Sequence, residues 1–469
     1  LSSSGIKIIR GGRTNMGDSI YLFKGILKAE TPFMIGNGDD TYSDMDLLRN
    51  HKKEPFIPGT ALAGVCRAYL EKDGNFKDMV KNYFGEGKKG HESTKYRQSQ
   101  VIVYDGQLEG AEKTPTRIRD SVKLENKVAV DESKFDFEIV EAGAAFSFRL
   151  EFKVDKGKRD EVENLVRALI AGFHHGEIRI GGKSNRGYGY FKLLPSLDSD
   201  TAGVQSKYFD LTDSGKLTEY IKWKWSDTEF TEKLLLGPQN DDFLKTLLQL
   251  HSFLFIRDYA HNEQYEDGTI DAVPLKNSKD EVVIPGTTWA GVFRHHMERI
   301  LNQLDAESIG GIFPQCDINK EPCPKALIDY LFGYVHEKKS DKNDGPQASN
   351  SQASHIFFKE SHFKKGNVSE ILRTRTAIDR FTGGASKGLL FNNKLAYTQG
   401  DRSSCYLEVG LSKELKDKQK QYDFVKSLLD VCFEDLQEGY LAVGGQTAVG
   451  GGIFRKGEVK DDEVSNDKE

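Results

Sequence analysis

Apolar and polar positions alternate along residues 21–30 (YLFKGILKAE), which predicts a strand. A polar stretch, 31–56, reads as a loop. IPGT then opens a helix. Pro58 cannot sit inside a helix, Thr60 suits the N-cap, and AGVCRAYLE keeps helical spacing. Residues 101–105 (VIVYD) and 144–152 (AAFSFRLEF) read as strands. Residues 160–175 form an amphipathic helix, with Val162, Leu165, Val166 and Leu169 three or four apart. IRIGGK and GYGYFKL follow as strand-like arms around a Gly-rich turn. The order β, α, β, β, α, β predicts an α+β, ferredoxin-like (RRM-like, βαββαβ) unit with large insertions.

The series then repeats. HSFLFIRD (251–258) reads as a second opening strand, a helix starts from Thr287, and another spans 418–436. Residues 57–71 (IPGTALAGVCRAYLE) and 284–298 (IPGTTWAGVFRHHME) are identical at nine of fifteen positions without a gap, far beyond chance within one chain. GGKSNRGYGYF (181–191) matches GGQTAVGGGIF (444–454). Phe84-Gly85 matches Phe332-Gly333, and KVAVD (127–131) is aligned with RTAID (375–379). Two copies of one domain are expected, at 18–197 and 248–457. Residues 198–247 are a linker or an addition to either copy. Residues 337–355, without Val, Ile, Leu or Phe, are expected to form a mobile loop. The tail 458–469, with six acidic and two basic residues, is expected to be solvated.

Composition narrows the class. At 469 residues, 37% apolar and 29% charged, the chain can build real cores. No apolar run approaches a membrane span and no signal peptide is visible; the opening LSSSG, without Met, is set aside as an appended scar. Five cysteines make no disulfide framework, which points to the cytoplasm. The net charge is 66 − 72 = −6, so any nucleic-acid surface must be local.

Three features suggest chemistry. Residues 178–193 carry four basic and no acidic residues around successive glycines. Backbone N–H groups at Gly181 and Gly182 can grip phosphate, Lys183 and Arg186 add charge, and Tyr188 or Tyr190 can stack on a base. A tight turn with surface cations explains the same residues. The second copy keeps only the backbone part, at Gly444 and Gly445. RGYGYFKL also fits an RNA-recognition motif, but it follows the second helix, where that motif does not lie. The IPGT helix N-termini suit phosphate, with Arg67 and Arg294 one to two turns in; plain helix initiation accounts for them equally. Finally, Asp44 precedes Gly59 by 15 residues, as Asp271 precedes Gly286. A loop carboxylate at fixed distance from such a turn can act in acid–base or metal chemistry, although loop acids are commonly just solvated. Asp39, Asp40 and Asp46 crowd the first loop, and Glu266 and Asp267 lie near the second. Cys316 and Cys323, with His295, His296 and His336, have poor zinc spacing, and no metal site is assigned to them.

The two IPGT blocks, the YFG and LFG blocks, RTAIDRFTGGA (375–385) and the Gly-rich turns together resemble the RAMP superfamily, specifically backbone subunits of type III CRISPR effector complexes. The doubled arrangement is similar to the fused subunits of type III-D-like systems in antiviral defence. The resemblance implies tandem RAMP domains with β-hairpin thumbs, here sought in 128–143 and 376–400. It implies a CRISPR guide RNA, a complementary target RNA and other type III effector subunits as partners, with no membrane. It also implies divalent-metal-dependent cleavage, with Mg²⁺ as the ion. On that pattern Asp44 and Asp271 take the cutting positions, Asp46 is the fallback, and Arg380 and Phe381 at the second thumb contact RNA. A non-catalytic guide-RNA scaffold and a guide-processing endoribonuclease are the alternatives.

Overall fold

The computed structural model describes residues 18–458 except 39, 42, 87–96, 111–115, 126–127, 227–229, 231, 238–242, 259–263, 266–267, 315–322 and 336–350. Asp39, Glu266, Asp267, Cys316, His336, most of the 337–355 segment and nearly all of the acidic tail therefore lie outside the described residues.

The first domain opens with strand β1 (Ser19–Ala29) and helix α1 (Gly59–Lys72). Strand β2 (Val101–Val103) follows, then a long hairpin of β3 (Thr116–Glu125) and β4 (Val128–Val140). Strand β5 (Ala145–Val154), helix α2 (Arg159–His174) and strand β6 (Phe191–Leu194) complete the unit. Every pairing is antiparallel: β5 lies along one edge of β1, β6 pairs with Ile26–Ala29 on the other, and β2 pairs with β5. The order β6–β1–β5–β2, with one helix after β1 and one after β5, is that of a ferredoxin-like sheet.

Sequence spacing explains which faces are buried. Leu62, Cys66 and Leu70 recur every four residues and point α1 at the sheet. Val162, Leu165, Val166, Leu169 and Phe173 do the same for α2. They meet Tyr21, Phe23, Phe148 and Phe152, alternate residues on one face of β1 and β5.

Residues 198–247 belong mainly to this domain. Strands β7 (Gly203–Asp210) and β8 (Glu232–Leu235) extend its sheet, with β7 pairing along Ser19–Lys24 of β1. Tyr220, Trp223, Trp225 and Phe230 pack over Ile20, Leu22 and Phe209 and so cover the sheet face that the helices leave open.

The second domain repeats the plan: β9 (Leu244–Leu250), α3 (Gly286–Leu301), β10 (Ile356–Phe358), a hairpin of β11 (Val368–Ile378) and β12 (Ala385–Thr398), β13 (Ser404–Leu411), α4 (Gln419–Gln437) and β14 (Phe454–Lys456). Its sheet order, β14–β9–β13–β10, is the same.

Four expectations need correction. The second opening strand is residues 244–250; HSFLFIRD lies beyond it, where Phe253 and Leu254 pair with the root of the β11–β12 hairpin. The hairpins start earlier than expected, at Thr116 and Val368. KVAVD falls on the returning strand of its hairpin and RTAID on the outgoing one, so these blocks are not equivalent. Pro58, not Thr60, occupies the N-cap position of α1.

The two domains touch. The Gly-rich turn of the first sits on the second: Asn185 accepts from the Ser354 N–H, and Tyr190, Phe243 and Phe357 form one aromatic cluster. At the root of the first hairpin, Arg119 (3% exposed) pairs with Glu360 at 3.2 Å. Among the described residues no helix is long and apolar enough to cross a membrane.

Candidate functional site

The repeated glycines are explained first by packing. A Cβ on Gly59 would lie 2.4 Å from the Val103 carbonyl oxygen, and one on Gly286 would lie 2.3 Å from that of Phe358. Real Cβ atoms do not come so close, so the PGT turn lets each helix start against the neighbouring strand. The Gly59 N–H donates to Asp105 Oδ1 at 2.7 Å. A carboxylate thus already occupies the start of α1, and the start of α3 is packed against β10 and the Arg186 carbonyl of the first domain. The phosphate reading of these helix ends has no support in this geometry. Arg67 pairs with Glu71 and Arg294 with Asp329, both on partly exposed helix faces.

The Gly-rich turns are likewise committed to internal bonds. Gly181 and Gly444 have φ of 91° and 85°, a region that favours glycine. The next N–H, of Gly182 or Gly445, donates to the carbonyl of Met34 or Phe255 at 2.9 or 2.8 Å. A nest of outward N–H groups is therefore not formed at those residues. Tyr188 and Tyr190 are 6% and 2% exposed, and the Tyr190 hydroxyl donates to the His174 carbonyl. Stacking on a base is thus blocked for both. Arg186 stays exposed. Lys183 turns inward, with its amine 3.3 Å from the centre of the Phe137 ring and 4.1 Å from that of Phe135. Burial first, and then Arg186, push this amine down to about 7; the two ring faces favour its charged form.

Asp44 and Asp271 occupy equivalent places. Each lies exposed in the loop that runs beside the returning hairpin strand. The N–H of Asp136 on β4 donates to Asp44 Oδ2 at 2.8 Å, and the N–H of Asn392 on β12 donates to Asp271 Oδ2 at 2.7 Å. Two residues on, the N–H of Glu138 donates to the Met45 carbonyl, and that of Lys394 to the Ala272 carbonyl. The match of two successive bonds fixes the register between copies: 44 with 271, 136 with 392, 138 with 394.

Asp46 differs. It is 5% exposed, and its carboxylate accepts from the N–H groups of Thr41 and Ser43 and from the Ser43 hydroxyl. These bonds fold the loop, and the corresponding residue of the second copy is Val273. Asp46 thus has the surroundings of a loop staple.

Strand alternation organises the first root. Phe135 and Phe137 face Lys183, so Asp136 and Glu138 face the loop. Asp136 Oδ1 accepts from the Asp44 N–H at 2.9 Å, Glu138 accepts from the Leu47 N–H at 3.1 Å, and Glu138 also pairs with Arg49. Asp136 and Glu138 were missed by sequence reasoning; the alternating FDFEIV at 135–140 was the available signal. The second root has Asn392, Lys394 and Gln446 where the first has Asp136, Glu138 and Lys183.

Beyond the roots, the second hairpin projects with little cover. Ile378 is 59% exposed and Phe381, at the tip beside exposed Arg380, is 99% exposed. Asp379 caps that tip by accepting from the Phe381 and Thr382 N–H groups, and these bonds, with that of the Thr382 hydroxyl, hold its carboxyl below the usual range. His296 is buried against Asp435, away from either root.

The sheet order, the doubled plan and the paired hairpin roots define a tandem ferredoxin-like protein. The family model for the RAMP superfamily matches residues 26–192 and 247–455. The chain belongs to the RAMP superfamily, whose membership implies a CRISPR-associated RNA-binding subunit. No curated protein matches the chain.

Proposed function

We propose that this chain is a tandem backbone subunit of a type III CRISPR ribonucleoprotein, which holds guide RNA and cuts guide-paired target RNA at both hairpin roots. Its partners on this reading are the guide RNA, the complementary target RNA and neighbouring effector subunits. The observation that carries the cleavage part is the shared clamp: two diverged copies hold one exposed aspartate against the same hairpin position by the same backbone N–H.

The chemistry asks little of the protein. RNA supplies its own nucleophile, the 2′-OH, and cleavage needs that oxygen in line with the phosphorus and the leaving 5′-oxygen. A projecting hairpin with an exposed aromatic tip is suited to part neighbouring bases and twist the backbone into line. A fixed carboxylate at the root can take the 2′-OH proton; the 2′-oxygen then bonds phosphorus as the bond to the 5′-oxygen breaks, the 5′-oxygen leaves as a hydroxyl with a proton from water, and a cyclic phosphate remains.

Among the described residues no group of three or more His, Cys, Asp or Glu is arranged around a metal position. Mg²⁺ commonly uses only one or two carboxylates together with phosphate oxygens, and the oxygen donors here fit that habit. Asp44 would hold it at the first root and Asp271 at the second. When bound, it would offset charge developing on the phosphate. Arg186, Arg380 and Phe381, exposed on the turn and the tip, would meet RNA, with Arg67 and Arg294 as further phosphate contacts.

The test is cut-site mapping. The complex is assembled with its guide and given labelled complementary RNA and Mg²⁺, and wild type is compared with Asp44→Ala and Asp271→Ala. Each change is expected to erase one specific cut. If both variants cut like wild type, the chain is a scaffold.

A further inference from the structure

The two roots hold the main chain of their aspartates differently. In the second, the Asp271 N–H donates to the backbone carbonyl of Asn392 at 2.8 Å. In the first, the Asp44 N–H donates instead to the side-chain carboxylate of Asp136 at 2.9 Å. One clamp is backbone to backbone and is indifferent to the side chain at 392. The other depends on the side chain at 136.

Asp136 is well placed to act this way. Its neighbours Phe135 and Phe137 are anchored on the opposite face: Phe137 is 1% exposed, packs edge-on against Tyr188 at 5.9 Å, and both rings receive the Lys183 amine. With both neighbours fixed inward, strand alternation leaves Asp136 directed at the loop. Its own N–H and one carboxylate oxygen then close a reciprocal pair with Asp44. Such a pair fixes both the position and the rotation of the Asp44 carboxylate.

We propose that Asp136 is a positioning residue specific to the first root, acting as a hydrogen-bond acceptor that orients Asp44 for cleavage. The inference rests on the proposed cutting role of Asp44. The second root, within the same molecule, is the internal control.

The experiment uses the guide-loaded complex with saturating labelled target and Mg²⁺, under single-turnover conditions that resolve the two cuts. Asp136→Ala removes the acceptor and is expected to slow the first cut about tenfold, the loss of roughly one hydrogen bond in the transition state. The second cut, target binding and the melting temperature are expected to stay unchanged. Asp136→Asn keeps an acceptor oxygen and is expected to restore most of the first cut, which a general weakening of the fold would not do. The proposal is overturned if Asp136→Ala leaves the first cut at the wild-type rate, or slows both cuts alike. It is also overturned if Asp136→Asn is as slow as Asp136→Ala, because charge rather than acceptance would then be the requirement. Should Asp44→Ala itself spare the first cut, the cleavage reading fails, a result distinct from all of these.

Discussion

The first hairpin root is built of ionisable side chains, whereas the second is built largely of main chain. Where the first root has Asp136, Glu138 and Lys183, the second has Asn392, Lys394 and Gln446. The hydrogen bonds that set the aspartate carboxylate in place are nevertheless the same. Backbone geometry has outlasted the side chains. That is expected where a glycine or a strand register fixes the fold, and where the side chains around it are free to adapt to their surroundings.

The largest test of that comparison breaks the shared backbone. Gly286→Val drives a side chain into the Phe358 carbonyl, and Gly59→Val does the same at Val103. Both are expected to cost more than about 4 kcal/mol and to abolish a cooperative melt, since neither strand carbonyl can move aside. Equal damage in both copies supports a common role for the motif in packing; damage in one alone would break the equivalence.

The next test addresses an asymmetry. Arg119→Met leaves Glu360 largely buried without its cation and is expected to cost about 3 kcal/mol in chemical denaturation. It should also separate the unfolding of the two domains, because this pair joins them. A variant that melts as wild type would mean that the aromatic cluster and the other cross-domain hydrogen bonds hold the interface without this pair.

A smaller effect is expected from Lys183. Its folded pKa is about 7 and its unfolded value ~10.4. Between these the unfolded chain binds more protons, so stability should rise as pH goes from about 7 towards 10. Lys183→Met should flatten that part of the profile. No equivalent slope can come from the second copy, which has Gln446 at this position.

The smallest is Arg67→Ala. Its partner Glu71 is one helical turn away and both are partly exposed, so a change of about 0.5 kcal/mol or less is expected in thermal melts. A loss of guide-RNA retention without a change in stability would assign Arg67 to the RNA instead.

Much of the fold was legible in the sequence because hydrophobic spacing and the repeat report local structure directly. Three of the four long helices, and the start of the fourth, were placed within about two residues by helical spacing, helix-start signals and the repeat. The opening strand of the second copy was misplaced because HSFLF is the more apolar run, whereas β9 shows a charged and polar outer face at Lys245 and Gln249. The site was only half legible. Equal spacing from the helix picked out Asp44 and Asp271, since both loops end at the same packed glycine. Asp136 stayed hidden because it meets Asp44 across 92 residues of chain, and no local pattern encodes such a contact. Tyr188 was misread for the opposite reason: an aromatic beside glycines looks available until the hairpin strand is seen packing over it.

Synthesis of the chain has an order, and the Arg119–Glu360 pair spans 241 residues of it. At about 5–20 residues per second, on the order of 10–50 s separate the emergence of Arg119 from that of its partner. During that interval the first hairpin is held by its own domain's loop and core but lacks its cross-domain ion pair. The amino-terminal root is therefore finished last, by the domain that follows it, and a ribosome that stops early releases a first domain in which Arg119 still lacks Glu360.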